Sequence, residues 1–177
     1  ECKAAVPTYV RIIRLIRDIP EESILAGNKI TNLRQVMQQR GVKCNCIRCR
    51  EAKDQIIKGY DLNIVEYPSS GGMEYFISAD SRDGKTLFGF CRLRIDKNSP
   101  IAPVIIRELH VYGELVSMGA KKMVQHSGLG TKLIAAAEKL TKAAELDRIA
   151  VISGVGVRSY YKKFGYKLRN TYMEKKL

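Results

Sequence analysis

Three groups of residues in this 177-residue sequence combine types and spacings that chemistry needs. The first is Cys44, Cys46 and Cys49 in KCNCIRCRE, a Cys-x-Cys-x-x-Cys cluster flanked by Arg48 and Arg50. Thiolates so spaced can wrap one tetrahedral zinc, and neighbouring cations ease their deprotonation. A structural zinc is expected, with three free buried thiols as the alternative. Three ligands leave one position open, and the other Cys and His residues are Cys2, Cys91, His110 and His126. Cys91 is the expected fourth ligand, because the strand-like FGFCRLRI could pass nearby. Five cysteines is an odd number and three of them crowd into six residues, which argues against a disulfide framework.

The second group is QHSGLG, running directly into TKLIAAAEKLTKAAEL. Gly128 and Gly130 let backbone N–H groups approach a ligand closely, and the helix predicted after them aims its positive dipole end at the same point. That arrangement is a seat for an anion. The third group is Glu108 and His110, two apart on a strand-like run, so that both side chains leave one face. Either could act as a base toward an amine or water, or the two could form a structural polar pair.

The elements that must position these groups are legible from periodicity. LNIVEYP, MEYFISAD and LFGFCRLRI read as strands, the last two joined by SRDGK as a hairpin. APVIIRELHVYG supplies a further strand before the Gly128 loop. The helix after the loop carries Leu133, Ile134, Ala137, Leu140 and Ala144 on one stripe. IAVISGVGV is a buried strand, and VRSYYKKFGYKL a short helix followed by a last strand. The order meander, strand, loop, helix, strand, helix, strand predicts an α+β domain over residues 61–177.

Residues 1–60 read differently. VRIIRLIRDIP sets Arg11, Arg14 and Arg17 at three-residue spacing, on one helix face or along an extended edge, and Pro20 ends the element. Thr31 is the predicted N-cap of a helix over NLRQVMQQR, and Gly41 its stop. This part holds twelve basic and six acidic residues. The whole chain carries 31 Lys and Arg against 18 Asp and Glu, a net charge of +13 that favours an anionic partner, nucleic acid first. Arg11, Arg14, Arg17, Arg34, Arg48 and Arg50 form the expected phosphate-contacting surface, a solvated helical face being the plain alternative. No apolar run reaches the length of a membrane span and no signal-peptide pattern opens the chain, so a cytoplasmic protein without a membrane partner is expected. A start at Glu1 rather than Met suggests a piece of something longer.

The pattern Gln-x-x-Gly-x-Gly at a helix start, after VIIRELHVYG, resembles the pyrophosphate arm of the GCN5-related (GNAT) acetyltransferases. Taken with RDIP, NLRQ, CNCIRCRE, GGMEYFIS, AVISGVGVRSYYKKFGYKL and the closing YM, nearly the whole chain resembles the C-terminal acetyltransferase half of the Elongator catalytic subunit in its archaeal single-protein form. The resemblance implies a GNAT fold, a mixed and mostly antiparallel sheet flanked by helices, with acetyl-CoA as cofactor. It implies that Glu108, Leu109, His110 and Val111 pair with the pantetheine arm, that the amides of Leu129, Gly130 and Thr131 face the pyrophosphate, and that Gln125 and Gly128 shape the turn. Tyr161, with Tyr160 as second choice, matches the family's tyrosine beside the CoA sulfur, where a phenol could donate to the departing thiolate. The implied function is modification of tRNA, building a carboxymethyl group on position 5 of the wobble uridine together with a radical S-adenosylmethionine domain of the same full-length protein. The Cys-x-x-x-Cys-x-x-Cys spacing of that domain's iron–sulfur cluster is absent from these residues, and residues 1–60 would be the segment leading from it. The alternatives are a lysine or small-amine N-acetyltransferase, which would turn over without RNA, and a non-catalytic tRNA-binding module, which would bind RNA without acetyl-CoA.

Overall fold

β-Branched and aromatic runs bounded by Gly, Ser and Asp become strands because such side chains pack well on a pleated surface. The computed structural model of the chain places them so, and it describes residues 2–15, 20–52, 59–112 and 128–177. The chain divides into two compact units, Glu1–Glu51 and Ala52–Leu177, a boundary nine residues earlier than the expected 60/61 division.

In the second unit, β1 (Asp61–Ser69), β2 (Gly72–Asp80), β3 (Leu87–Ile95) and β4 (Val104–Val111) form an antiparallel meander. Helix α3 (Leu129–Ala143) then crosses to β5 (Arg148–Val151), which runs parallel to β4. Helix α4 (Arg158–Lys162), β6 (Lys167–Arg169) and β7 (Tyr172–Lys176) follow. The seven-stranded sheet has the order β1-β2-β3-β4-β5-β7-β6. One last strand was expected; the chain instead turns back at Asn170, which takes φ 51°, and lays YMEKK between β5 and β6 with Met173 fully buried.

Helix α3 packs against β2, β3, β4 and β5 through Leu129, Leu133, Ile134, Ala137 and Thr141. The expected Leu140 and Ala144 are only half-buried, because the 3.6-residue period carries the stripe from Ala137 to Thr141. Thr141 is 0% exposed and tolerates this by donating its hydroxyl to the Ala137 carbonyl at 2.8 Å. Each fully buried Leu or Ile of this stripe contributes about 1.5–3 kcal/mol.

In the first unit the expected helix forms as α1 (Leu33–Gln39), with Asn32 rather than Thr31 at the N-cap and without a side-chain capping bond. It stops at Gly41, whose N–H donates to the Gln38 carbonyl at 2.9 Å. Residues 10–15 form neither helix nor strand, and residues 16–19 of VRIIRLIRDIP lie outside the described residues. Helix α2 (Ile47–Arg50) is four residues long, and Ile47 N–H donates to the Val10 carbonyl at 2.9 Å.

Candidate functional site

Strands β4 and β5 pair at only two positions, Ile105 with Ala150 and Ile106 with Val151, and the last bond between them is Ile152 N–H to the Ile106 carbonyl at 3.0 Å. Past that point β4 continues to Val111 on β3 alone among the described residues. A bulge aids the divergence: Arg92 opposes Glu108 while Leu93 opposes Ile106, leaving Arg107 as the extra residue. A cleft of about 410 Å³ opens there, lined by Leu109, Val111, Gly128, Gly130, Thr131, Val157, Tyr160 and Tyr161. At its end α3 begins. Gly128 sits at the N-cap with φ 101°, a conformation glycine adopts without cost. The first helical bond is Lys132 N–H to the Gly128 carbonyl, so the amides of Leu129, Gly130 and Thr131 have no partner within the helix and carry the positive end of a 15-residue dipole. Gln125, expected to shape the turn, lies outside the described residues.

Both expected tyrosines line this cleft, in different settings. Tyr161 is 6% exposed, its ring edge-on to Tyr160 at 5.4 Å and to Tyr166 at 6.0 Å. Burial, with the neighbouring Cys91 and Tyr160, pushes its hydroxyl up to about 12, so it stays a phenol throughout the neutral range. Tyr160 is also raised by burial, against a lowering hydrogen bond from Thr131. A Cβ at Gly130 would run into the Tyr160 hydroxyl, so this glycine lets α4 approach the start of α3. Val157, from the GVGV segment, is a lining residue that sequence reasoning missed, although the segment was singled out as part of a strand.

Glu108 and His110 do share a face, but not the one that Leu109 and Val111 present to the cleft. Glu108 accepts from Arg92 Nε at 3.0 Å, while His110 packs its ring on Phe90 at 5.9 Å and Tyr112 at 4.5 Å. Their side chains are thus placed across the sheet from the lining residues, whereas their backbone lies on the stretch of β4 that pairs with β3 and, among the described residues, no longer with β5.

Residues 48–166 match the acetyltransferase (GNAT) family. The chain belongs to the GNAT family. It is 43% identical, over 198 aligned residues, to the tRNA uridine(34) acetyltransferase of Dehalococcoides mccartyi, covering 100% of this chain and 42% of that protein. It is 38% identical to Elongator complex protein 3 of Schizosaccharomyces pombe, covering 97% of this chain and 35% of that one. Among solved structures, the archaeal Methanocaldococcus infernus Elp3 with an N-terminal deletion matches with a TM-score of 0.80 and 34% identity, over 99% of this chain and 46% of that chain. The chain therefore spans roughly a third to two fifths of the length of these curated relatives.

Apart from the GNAT cleft, the first unit offers a second candidate site. The Sγ atoms of Cys44, Cys46 and Cys49 all lie within 4.8 Å of one another, the one group among the described residues that could hold a metal ion. A zinc–sulfur bond of about 2.3 Å sets sulfurs about 3.8 Å apart in a tetrahedral site, so the thiols need close by only about 1 Å. Burial pushes the Cys46 thiol up, but hydrogen bonds from the Ile12 and Cys49 backbone and from the Cys44 and Cys49 thiols outweigh it and bring it down to about 7. Burial, with the neighbouring Cys46 and Cys49 thiols, pushes Cys44 up to about 11 against a lowering bond from the Cys46 backbone. Cys91 is not in the group: it is fully buried in β3 of the GNAT unit, opposite Leu109, and burial followed by the Glu108 charge drives its thiol far up, away from the thiolate a metal needs.

The six arginines expected to contact phosphate are not equivalent. Arg50 is 6% exposed and donates to the carbonyls of Asn45 and Thr8 at 2.8 and 3.0 Å. Arg34 donates to Cys49 Sγ at 3.2 Å and to the Ile12 carbonyl at 2.6 Å. The donors of these two serve backbone and sulfur. The cation at the sulfurs is thus Arg34, not the flanking Arg48 or Arg50. Arg11 and Arg48 pair with Glu51 at 2.6 and 3.1 Å, Arg14 is exposed, and Arg17 lies outside the described residues.

Among the described residues no helix is long and apolar enough to cross a membrane.

Proposed function

We propose that this chain is the acetyl-CoA-binding acyltransferase part of a cytoplasmic enzyme that modifies position 5 of the wobble uridine of tRNA, acting with a radical S-adenosylmethionine domain of the same full-length protein. The observation that supports this reading best is the splayed β4/β5 pair opening onto the free first-turn amides of α3, in a chain similar along its whole length to proteins named for tRNA uridine(34) acetylation. Acetyl-CoA supplies an activated acetyl thioester when bound. The amides of Leu129, Gly130 and Thr131 hold its pyrophosphate. The edge of Glu108 to Val111 turned away from β3 receives the pantetheine arm as an added strand, and Leu109, Val111 and Val157 keep water from it. The hydroxyl of Tyr161, with Tyr160 as the other candidate, would be the hydrogen-bond donor to the thioester sulfur. Glu108 and His110 act across the sheet, ordering the acceptor side through Arg92, Phe90 and Tyr112.

In the first unit, Cys44, Cys46 and Cys49 hold a structural zinc. Arg11, Arg14, Arg17 and Arg48 track the tRNA backbone, and contact with tRNA licenses use of the thioester. Calorimetric titration with acetyl-CoA and filter binding with tRNA test this reading. Saturable binding of both ligands to one chain is expected; RNA binding with no acetyl-CoA affinity would reduce the chain to a binding module.

A further inference from the structure

Arg34 has a set of contacts unlike that of a nucleic-acid-binding arginine. It projects from α1, twelve and fifteen residues before the cysteines it meets. One nitrogen, Nη1, lies 3.2 Å from Cys49 Sγ and 4.0 Å from Cys46 Sγ, while Nη2 donates to the Ile12 carbonyl at 2.6 Å and reaches the Ile13 carbonyl at 3.4 Å. The planar fork thereby spans sulfur on one side and the 10–13 segment on the other.

The sulfurs divide their donors. Cys46 receives backbone N–H groups from Ile12 and Cys49, and Cys44 receives the Cys46 N–H. Cys49 receives Nη1 of Arg34 at 3.2 Å. Three thiolates around a divalent ion leave one net negative charge, which a guanidinium at hydrogen-bond distance cancels. Arg50, the other inward arginine, is occupied by the Asn45 and Thr8 carbonyls.

We propose that Arg34 is a positioning residue of the three-thiol metal site: it orients and neutralises Cys49, ties α1 to the cysteine loop, and does not contact nucleic acid. This rests on the zinc reading of the cluster. Outer partners of this kind are typically worth about 10–100-fold in metal affinity. Arg34→Gln removes the charge; Arg34→Lys keeps it but loses the fork that joins sulfur to the Ile12 carbonyl.

The test measures zinc affinity of the whole chain by competition with a chromophoric chelator, the absorption of the cobalt-substituted site, and tRNA affinity of the zinc-saturated protein. We expect zinc affinity to fall roughly 10–100-fold in Arg34→Gln and by less in Arg34→Lys. The sulfur-to-cobalt absorption should shift in both variants, and tRNA affinity should stay within about twofold. Unchanged zinc affinity and cobalt spectrum in both variants would overturn the assignment, as would loss of tRNA affinity by zinc-saturated Arg34→Lys with a wild-type cobalt spectrum. Absence of zinc binding by the unmodified chain would remove the metal reading itself, a result distinct from binding that is indifferent to Arg34. Should Arg34→Gln fail to fold, the lysine variant carries the same comparison.

Discussion

The two units of this chain are held together by different means. In Ala52–Leu177, a seven-stranded sheet and α3 bury Phe76, Ile77, Phe90, Leu93, Ile106, Leu133 and Ile149 completely. One of its buried carboxylates, Glu74, is 2% exposed and is met by Arg94 at 3.4 Å and Arg107 at 2.5 Å. In Glu1–Glu51, α1 buries none of its seven residues and α2 spans one turn. Order there comes from guanidinium groups on backbone carbonyls, Arg34 on Ile12 and Arg50 on Thr8, and from three thiols drawn together. A helix of two turns without a buried face has little stability of its own. A cross-link at the cysteines is therefore what the first unit needs and the second does not.

On the zinc reading, the largest difference in response between the units should follow metal removal. A structural zinc contributes on the order of 10 kcal/mol of apparent folding free energy. Chelation should thus erase amide-exchange protection around Ile47 and α1 while leaving protection in β2, β3 and α3. Equal loss in both units would break the comparison.

Gly130→Asp tests the second unit's site. Its Cβ would displace the Tyr160 hydroxyl and its carboxylate would face the pyrophosphate, so acetyl-CoA affinity should fall by several kcal/mol, roughly a hundredfold or more. Calorimetry should show that loss with tRNA affinity nearly intact; equal loss of both would mean that the two surfaces are not separate. Tyr161→Phe should slow CoA release on the order of a hundredfold at little cost in acetyl-CoA affinity. Unchanged single-turnover release would leave the donor role to Tyr160.

The smallest effect concerns pH. Burial raises Tyr161 from 10.0 to about 12, and Tyr166 moves in the same direction, through burial and the Glu138 charge. A group raised on folding contributes stability in full below its unfolded pKa and loses it as pH climbs through the folded value. Urea midpoints should therefore fall between about pH 10 and pH 12, and less steeply in Tyr161→Phe than in the parent.

Much of this architecture was legible before any coordinates. Strand positions followed from β-branched and aromatic runs, and the start of α3 from Gly128 and Gly130 ahead of an apolar stripe. That Glu108 and His110 share a face followed from the two-residue period; which face it is could not be read, because Arg107 bulges out of register and resets the alternation. Thr141 was passed over because a hydroxyl reads as polar, although its bond to the Ala137 carbonyl lets it sit in the core. Insertion of β7 between β5 and β6 depends on a two-residue turn at Asn170 and Thr171 that carries no glycine. The inward role of Arg34 is a tertiary fact: it exists only once α1 folds back on a loop a dozen residues away.

On the proposed function, the GNAT cleft spends acetyl-CoA in response to tRNA. The most direct measurement is free CoA release from acetyl-CoA by this chain alone, with bulk tRNA, and with a lysine peptide. Stimulation by tRNA with none by the peptide is the predicted result. Stimulation by the peptide alone, with an acetylated product, would contradict it and make the chain an ordinary N-acetyltransferase.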